Sequence, residues 1–338
     1  MQNIAIIIVN WNGQRFLKDC LDSINKQNYR NFDIFLVDNN STDGSLEIAR
    51  NYKNIKVIRN KQNLGFARGN NVGIKRALKE GYKFIVLVNY DTVADESWLE
   101  NLVKRAEHNP EIGAVQSKIL LSSSNCINTT GGELHFLGFS YCGNYKSKDI
   151  YHDVGDIPLF SGASVLISAE ALKKAGLFDE SFFMYMEDAD LSWRIRQLGY
   201  KIMFEPKSVI YHKYSFSKNK NKFYYAERNR LIFVLKNYEL KTLFLLLPAF
   251  IVTEFLMLAY ALFGGWIKVK LKGYFYLIKD IRIVIGSRKA VQKIRKVRDR
   301  ELKKYFTYKL SFEEIENPLF RPLNLFFKIY WFLVRPFI

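Results

Sequence analysis

The chain has 338 residues, 49% of them hydrophobic and 25% charged, which excludes a disordered polypeptide and fits one large domain or a domain with an appendage. The net charge of +18 first suggests a nucleic-acid binder, but it is unevenly placed. Residues 1–212 carry 25 Lys and Arg against 24 Asp and Glu, whereas residues 213–338 carry 26 against 9, so the basic excess belongs to the last third.

Taken in chain order, "IAIIIVN" (4–10) is a continuous β-branched run, expected as a strand buried on both faces. Residues 14–28 have helical spacing. "FDIFLVD" (32–38) reads as a second strand, followed by a helix with Ser41 and Asp43 as capping candidates. "IKVIRN" (55–60) is a third strand, 70–80 a helix and "KFIVLV" (83–88) a fourth strand. This alternation predicts a parallel sheet flanked by helices, with ligands at the carboxyl ends of the strands. Asn10, Asp38 and Asp91 all fall at such ends.

From 95 to 212 the pattern is mixed. A helix at 96–108 leads to strands at 112–121 and 133–139, then "FSGASVLIS", a helix at 169–175, and a closing strand pair at 199–212. Beyond it, 223–239 is amphipathic and aromatic, and 242–266 is apolar for about the length of a bilayer crossing. Glu254 lies inside that run, where lipid would penalise a carboxylate. A spanning or re-entrant helix, an interfacial helix and an ordinary core helix all remain open. "SRKAVQKIRKVRDRELKK" (287–304) and the aromatic, cation-dotted 323–338 favour an anionic membrane surface, although a solvated charged helix also accounts for the first. Cys20, Cys126 and Cys142 show no C-x-x-C spacing, so neither a disulfide framework nor a zinc site is expected, and a reducing cytosol fits. No basic n-region of a secretory signal precedes the first strand.

Asp91, in "LVNYDT", is either a cap for the helix near 97 or a hard-oxygen ligand for Mg2+ or Mn2+; Asp95 and Ser97 stand closer to that helix. Asp38 could accept from a base or a ribose hydroxyl, while Asn40 to Gly44 read as a polar turn. In "NKQNLGFARGNNVGI" (60–74), Gly65, Gly69 and Gly73 permit close backbone approach, but the spacing is not that of a dinucleotide fold. Glu187, Asp188 and Asp190 crowd three carboxylates at a helix start, more than capping needs, and one of them suits a general base. His212, ending a strand, is either structural or a contact to metal or phosphate.

In this order "VNWNG", "VDNNSTDGS", "NLGFARGNNVGI", "LVNYDT", "SGASVLIS", "FDESFFMYMEDADLSWRIRQLGYKI" and "VIYH" resemble the inverting family-2 glycosyltransferases with a GT-A fold, in their rhamnosyl- and galactofuranosyl-transferase-like branch. The resemblance covers roughly residues 3–235. It implies an α/β GT-A catalytic domain over 1–235, a Rossmann-like mixed sheet flanked by helices, with 236–338 as a basic, aromatic, membrane-associating helical segment. It also implies that Asp38 reads the base, that Asn10, Trp11 and Asn12 form the first nucleotide loop, and that Asn63, Gly65, Asn70, Asn89 and Tyr90 contact the donor. Asp91 would ligate the metal, with His212 completing the site, and Asp188, with Glu187 beside it, would be the catalytic base. Three residues depart from the common pattern: Asn89 replaces the first Asp of D-x-D, Tyr90 the usual Pro or Asn, and Asn70 an Arg frequent in the family.

The implied activity is direct displacement with inversion. A rhamnose- or galactofuranose-like sugar passes from a dTDP- or UDP-linked donor to a hydroxyl of a lipid-linked saccharide, with Mg2+ or Mn2+, at the cytoplasmic membrane face during cell-surface polysaccharide synthesis. A homo-oligomer is compatible with it. The alternative is a catalytically weak scaffold or sugar-binding subunit, against which Asp91 and Asp188 are both retained. A nucleic-acid partner is not expected, since the folded part is nearly neutral and carries no base-stacking motif. A nucleotidyltransferase would need a phosphate loop near the first strand, which "VNWNGQRFL" does not supply.

Overall fold

The computed structural model describes residues 4–213, 220–311 and 320–338. The chain runs from β1 (Ile4–Asn10) through α1 (Gln14–Asn25), β2 (Phe32–Asp38), α2 (Ser45–Arg50), β3 (Ile55–Arg59) and α3 (Gly65–Glu80) to β4 (Phe84–Val88). A mixed stretch follows: β5 (Thr92–Ala94), α4 (Trp98–Glu107), β6 (Ile112–Leu121), β7 (Ile127–Thr129), β8 (Gly132–His135), β9 (Ser140–Cys142), β10 (Gly155–Asp156), β11 (Ser164–Ser168), α5 (Ala169–Ala175), α6 (Glu187–Gln197) and β12 (Lys201–His212). The last third is mainly helical: α7 (Lys220–Asn237), α8 (Leu240–Phe263), α9 (Ile267–Lys279), α10 (Ile281–Ile294), α11 (Asp299–Leu302), the two-residue β13 (Phe306–Thr307) and α12 (Phe320–Val334).

Among the described residues the main sheet has ten strands, eight of them in the order β10-β12-β6-β11-β4-β1-β2-β3. Strands β3, β2, β1 and β4 are mutually parallel, and β11 runs antiparallel between β4 and β6. From β1 the chain first builds outward to β2 and β3, then returns to place β4 on β1's other side. The crevice between β1 and β4 is therefore the topological switch point where ligands settle in open α/β sheets.

The doubly buried reading of "IAIIIVN" is visible in its alternation. Ile4, Ile6 and Ile8 enter a core with α1 and α4, while Ala5 and Ile7 enter another with α3, α5 and α6. Each such isoleucine contributes roughly 1.5–3 kcal/mol by leaving water.

Three elements differ from expectation. The strand pair expected at 199–212 is one twelve-residue strand, because the turn-like Pro206 is absorbed by a register shift between Glu205 and Val209. Helix α3 starts at Gly65 and not at 70, so Gly65, Gly69 and Gly73 all lie within the helix. The strand expected at 133–139 ends at His135.

The last third packs on the sheet domain through a third hydrophobic cluster that includes Leu134 and Phe136, Trp193 of α6, Phe233 of α7, Leu246 of α8 and Trp331 of α12. Helix α8 is the one described helix long and apolar enough to cross a membrane. It buries a stripe of Thr242, Leu246, Ala249, Thr253 and Ala261 along its whole length. The opposite side exposes Phe244 (76%), Phe255 (68%) and Phe263 (89%). Glu254 does not face that side: Arg230, Lys270 (2.9 Å) and the Tyr274 hydroxyl all bind its carboxylate. Burial raises its pKa, but Arg230 and Lys270 prevail and hold it at about 2.

Candidate active site

The carboxyl ends of β1 and β2 lie side by side, with Asn10 opposite Asp38 in register. Asn10 Nδ2 donates to Asp38 Oδ1 (3.1 Å) and to Ser41 Oγ (2.9 Å), and both Asn10 and Asp38 are fully buried. The other Asp38 oxygen accepts from the Ser41 amide (3.1 Å). Asn12 locks the two loops together: its amide donates to Ser41 Oγ (2.9 Å), and its Oδ1 accepts from the Thr42 amide (2.8 Å). Asn12 and Asn40 both take left-handed backbone conformations (φ 53° and 62°), which asparagine tolerates better than most residues. Asn10 Oδ1 is left as a buried acceptor without a partner. A Cβ added at Gly13 would collide with that oxygen and with the Tyr90 ring, so the chain here must approach as glycine. Trp11, 51% exposed, stands free at the rim.

Next along the crevice, Asn63 Oδ1 accepts from the Gly65 amide (2.8 Å) and opens α3. Gly65 has φ 75°, and a Cβ there would lie 2.7 Å from the Phe183 carbonyl oxygen. Asn70, 2% exposed, donates its side-chain amide to Phe66 O within α3 (3.0 Å).

Beyond β4, the Asn89 amide donates to Ala163 O (3.1 Å), so the Asn89-Tyr90-Asp91 turn is fixed against the segment before β11. Asp91 is not a helix cap, because β5 intervenes and Asp95 Oδ1 accepts from the Ser97 amide (3.0 Å) at the start of α4. Instead Asp91 Oδ1 lies 3.2 Å from His212 Nε2. His212, buried at the end of β12, places Nδ1 2.8 Å from Asn128 Oδ1. A metal-ligating imidazole commonly has its far nitrogen held by an oxygen in this way, and Nε2 is the ring nitrogen beside the Asp91 carboxylate. Among the described residues no group of three or more His, Cys, Asp or Glu converges to hold a metal by itself. Two ligands suit Mg2+ or Mn2+ only if substrate oxygens and water fill the remaining positions, which is how Mg2+ is commonly held. Residues 214–219, which follow His212 and Lys213, lie outside the described residues.

Glu187 and Asp188 open α6. Asp188 Oδ1 accepts from the Ala189 amide (2.8 Å) and Oδ2 from the Gly162 amide (3.4 Å). Asn89 and Asp188 thus hold adjacent residues, Ala163 and Gly162, and are brought to one stretch of chain. Burial pushes the Asp188 carboxyl up despite these two amides. Burial, then the charges of Asp188 and Asp190, drive Glu187 well above the usual carboxylate range, and its Oε2 has no partner. Asp190 is spoken for: Arg194 (2.9 Å), Lys236 (3.0 Å) and Asn237 (2.9 Å) bind it in the interior. A carboxylate whose hold on a proton is strengthened by burial is suited to take one from a hydroxyl.

Three supporting residues escape a sequence reading. Asn128 holds His212, and Gln116 Oε1 accepts from the Ser161 amide (2.7 Å). Asn229, buried in α7, donates to the loop before Glu187. Only the last leaves a signal, the polar "ERNR" inside an otherwise aromatic and apolar helix.

Residues 5–174 match the profile described as "Glycosyl transferase family 2". The poly-beta-1,6-N-acetyl-D-glucosamine synthase of Staphylococcus epidermidis is 25% identical over 214 residues, which cover 62% of this chain and 50% of that protein. An uncharacterized glycosyltransferase of Haemophilus influenzae is 26% identical over 210 residues, 58% of this chain and 61% of the other. The chain thus spans about half the length of the curated synthases it matches. Among solved structures, GalNAc-T7 with UDP, GalNAc and Mn2+ superposes with a TM-score of 0.59 at 18% identity, over 72% of this chain and 49% of that one. The mannosyltransferase PcManGT of Pyrobaculum calidifontis, in complex with GDP-Man and Mn2+, gives 0.52 at 14% identity over 98% and 86%. TarS 1–349 of S. aureus with UDP gives 0.52 at 18% identity over 99% and 90%. At these identities the structures speak for the GT-A-like fold alone.

Proposed function

The chain belongs to glycosyl transferase family 2, and from that premise we propose that it transfers a sugar from a nucleoside-diphosphate donor to an acceptor hydroxyl with inversion, Asp188 acting as the base. The observation that supports this reading is the attachment of Asn89, two residues before Asp91, and of Asp188 to the adjacent residues Ala163 and Gly162.

Asp38, Asn10 and Asn12 form the nucleotide end of the crevice, at the switch point between β1 and β4. Asp91 and His212 would hold Mg2+ or Mn2+, which, when bound, offsets the charge of the departing diphosphate. The UDP, UDP-GlcNAc and GDP-Man complexes of the structural neighbours support a nucleotide-sugar donor. A rhamnose- or galactofuranose-like sugar and a lipid-linked saccharide acceptor both rest on the motif resemblance. Asp188 would remove the acceptor proton as the oxygen attacks the anomeric carbon. The buried site strengthens each of these charge interactions.

For location, the proposal is the surface of an anionic bilayer. The exposed apolar side of α8 and the +17 carried by residues 213–338 favour it.

Donor binding by calorimetry and transfer from a panel of UDP-, dTDP- and GDP-sugars test the site. Asp188→Asn is expected to retain donor affinity within about threefold and to lose transfer by at least about 10²-fold. Asp91→Ala is expected to lose the Mn2+ dependence of donor binding. Near-normal turnover of Asp188→Asn would refute the base, and unchanged Mn2+-dependent affinity in Asp91→Ala the metal site.

A further inference from the structure

The segment leading into the Glu187-Asp188 pair is held in an unusual backbone state. Phe183, Tyr185 and Met186 all have positive φ (60°, 65° and 70°), although none is Gly, Asn or Asp. Residues with such side chains occupy this region only when their surroundings over-determine it. Met186 immediately precedes α6, so its conformation sets the direction in which Glu187 and Asp188 leave the turn.

Helix α7 supplies the constraint. Asn229 is fully buried, and its single amide group reaches three carbonyls of this turn: Phe182 (3.0 Å), Met184 (3.0 Å) and Tyr185 (2.7 Å). Arg228 fixes which way that amide points, since its guanidinium donates to Asn229 Oδ1 (2.7 and 2.9 Å) and leaves only N–H to face the loop. The same guanidinium donates to Ser181 O (2.6 Å) and Phe182 O (3.2 Å). Two turns along α7, Lys236 binds Asp179 (2.6 Å) and Asp190 (3.0 Å), and Asn237 binds Asp190 (2.9 Å). One strip of α7 therefore grips the 179–190 segment before, within and after the turn. The turn also reaches the donor side, because Phe183 O accepts from the Phe66 (2.8 Å) and Ala67 (3.2 Å) amides at the entry of α3.

We propose that Asn229, aimed by Arg228, is a positioning residue for the transfer reaction: it splints the left-handed turn and thereby fixes Asp188 relative to the α3 entry. The proposal deepens the assignment of Asp188 as base and rests on it. Among the described residues Asn229 hydrogen-bonds to the turn and to Arg228 and not to Asp188, so its action passes through the turn. A displacement on the order of 1 Å of a group at the reacting centre can lower the rate about 10²-fold without abolishing binding.

The test is a cycle in the full-length protein. Asn229→Ala, Met186→Gly and the double variant are measured by amide hydrogen exchange and by transfer from the same sugar-nucleotide panel, beside Asp188→Asn. Glycine at 186 adopts positive φ without strain and should lessen the need for the splint. The expected result is faster exchange confined to about residues 182–189 in Asn229→Ala. Its kcat is expected to fall about 10- to 100-fold with the donor KM within about threefold, and to recover at least about threefold in the double variant. Unchanged local exchange, or raised exchange with kcat within twofold of the parent, would overturn the proposal. So would an Asn229→Ala protein that fails to fold and is not recovered by Met186→Gly, since Asn229 then serves the fold as a whole. An active Asp188→Asn with the splint effects intact would instead remove the base assignment on which the proposal rests.

Discussion

Glu187 and Asp188 sit together at a buried helix end; the Gly162 and Ala189 amides meet Asp188, while Glu187 leaves Oε2 without a partner. Burial, reinforced by the neighbouring acids, raises Glu187. A carboxyl raised on folding binds its proton more tightly in the native state than in the unfolded chain, whose value is about 4.3. Its stabilising contribution is complete below that pH and is lost as pH climbs through the raised native value. Glu187→Gln removes the ionisation and keeps the shape, so melting at pH 8 is expected to rise by roughly 2 °C, about 1 kcal/mol in a chain of this length. The gain should shrink toward pH 4, and a lower melting point at pH 8 would show that ionised Glu187 is stabilised by its surroundings. At this scale the sequence exposes what lies at strand ends, because a polar residue closing a buried run has few structural duties. It does not separate Glu187, Asp188 and Asp190. Their different fates depend on Gly162, Lys236 and Asn237, which are 26 to 47 positions distant.

Helix α3 shows what an element's sequence conceals. Its periodicity is legible from residue 70 onward, but its first five residues contain Gly65 and Gly69, which read as breakers. Gly65 is needed because the chain enters at φ 75° directly beneath the Phe183 carbonyl. Gly81, at the other end of the helix, also has positive φ (85°) but faces open space. The pair separates backbone cost from site geometry. Gly65→Ala and Gly81→Ala should each lose about 1–2 kcal/mol from the left-handed backbone, read by chemical denaturation. Only Gly65→Ala must also push Phe183 away, so it alone is expected to weaken donor binding, by at least about threefold. Equal donor affinity in the two variants would mean that the α3 entry does not shape the crevice. The single strand β12 was hidden for a related reason. Pro206 resembles a turn when read locally, and only its pairing with β6 shows that a bulge accommodates it.

In the whole molecule, the acidic residue that makes 242–266 a poor lipid-spanning segment proves to be an anchor on the protein side. Glu254 joins α8 to Arg230 of α7 and to Lys270 and Tyr274 of α9, and Glu227 completes the cluster through Lys270 (2.5 Å). Breaking a buried ion cluster by removing one partner costs about 3–5 kcal/mol, so α8 is held with one face on the protein along its length. The opposite face, with Phe244, Phe255 and Phe263, is free to enter an interface lying parallel to the helix. Exposed cations on the neighbouring helices, such as Lys268 and Lys272 of α9 and Arg282 of α10, add about 1 kcal/mol each near anionic headgroups. The full chain is therefore expected to sediment with vesicles containing anionic phosphatidylglycerol at least tenfold more strongly than with phosphatidylcholine alone. It should leave the anionic vesicles as salt is raised, since the surface potential is screened. The triple substitution Phe244→Ser, Phe255→Ser and Phe263→Ser should weaken vesicle binding on both lipid compositions while leaving the fold's melting point nearly unchanged, because all three side chains are exposed. Alkaline carbonate is expected to strip the native protein from cell membranes, as it does a protein held at the surface by charge and shallow apolar contact. Resistance to carbonate would instead mean that α8 crosses the bilayer, and that the Glu254 cluster comes apart on insertion.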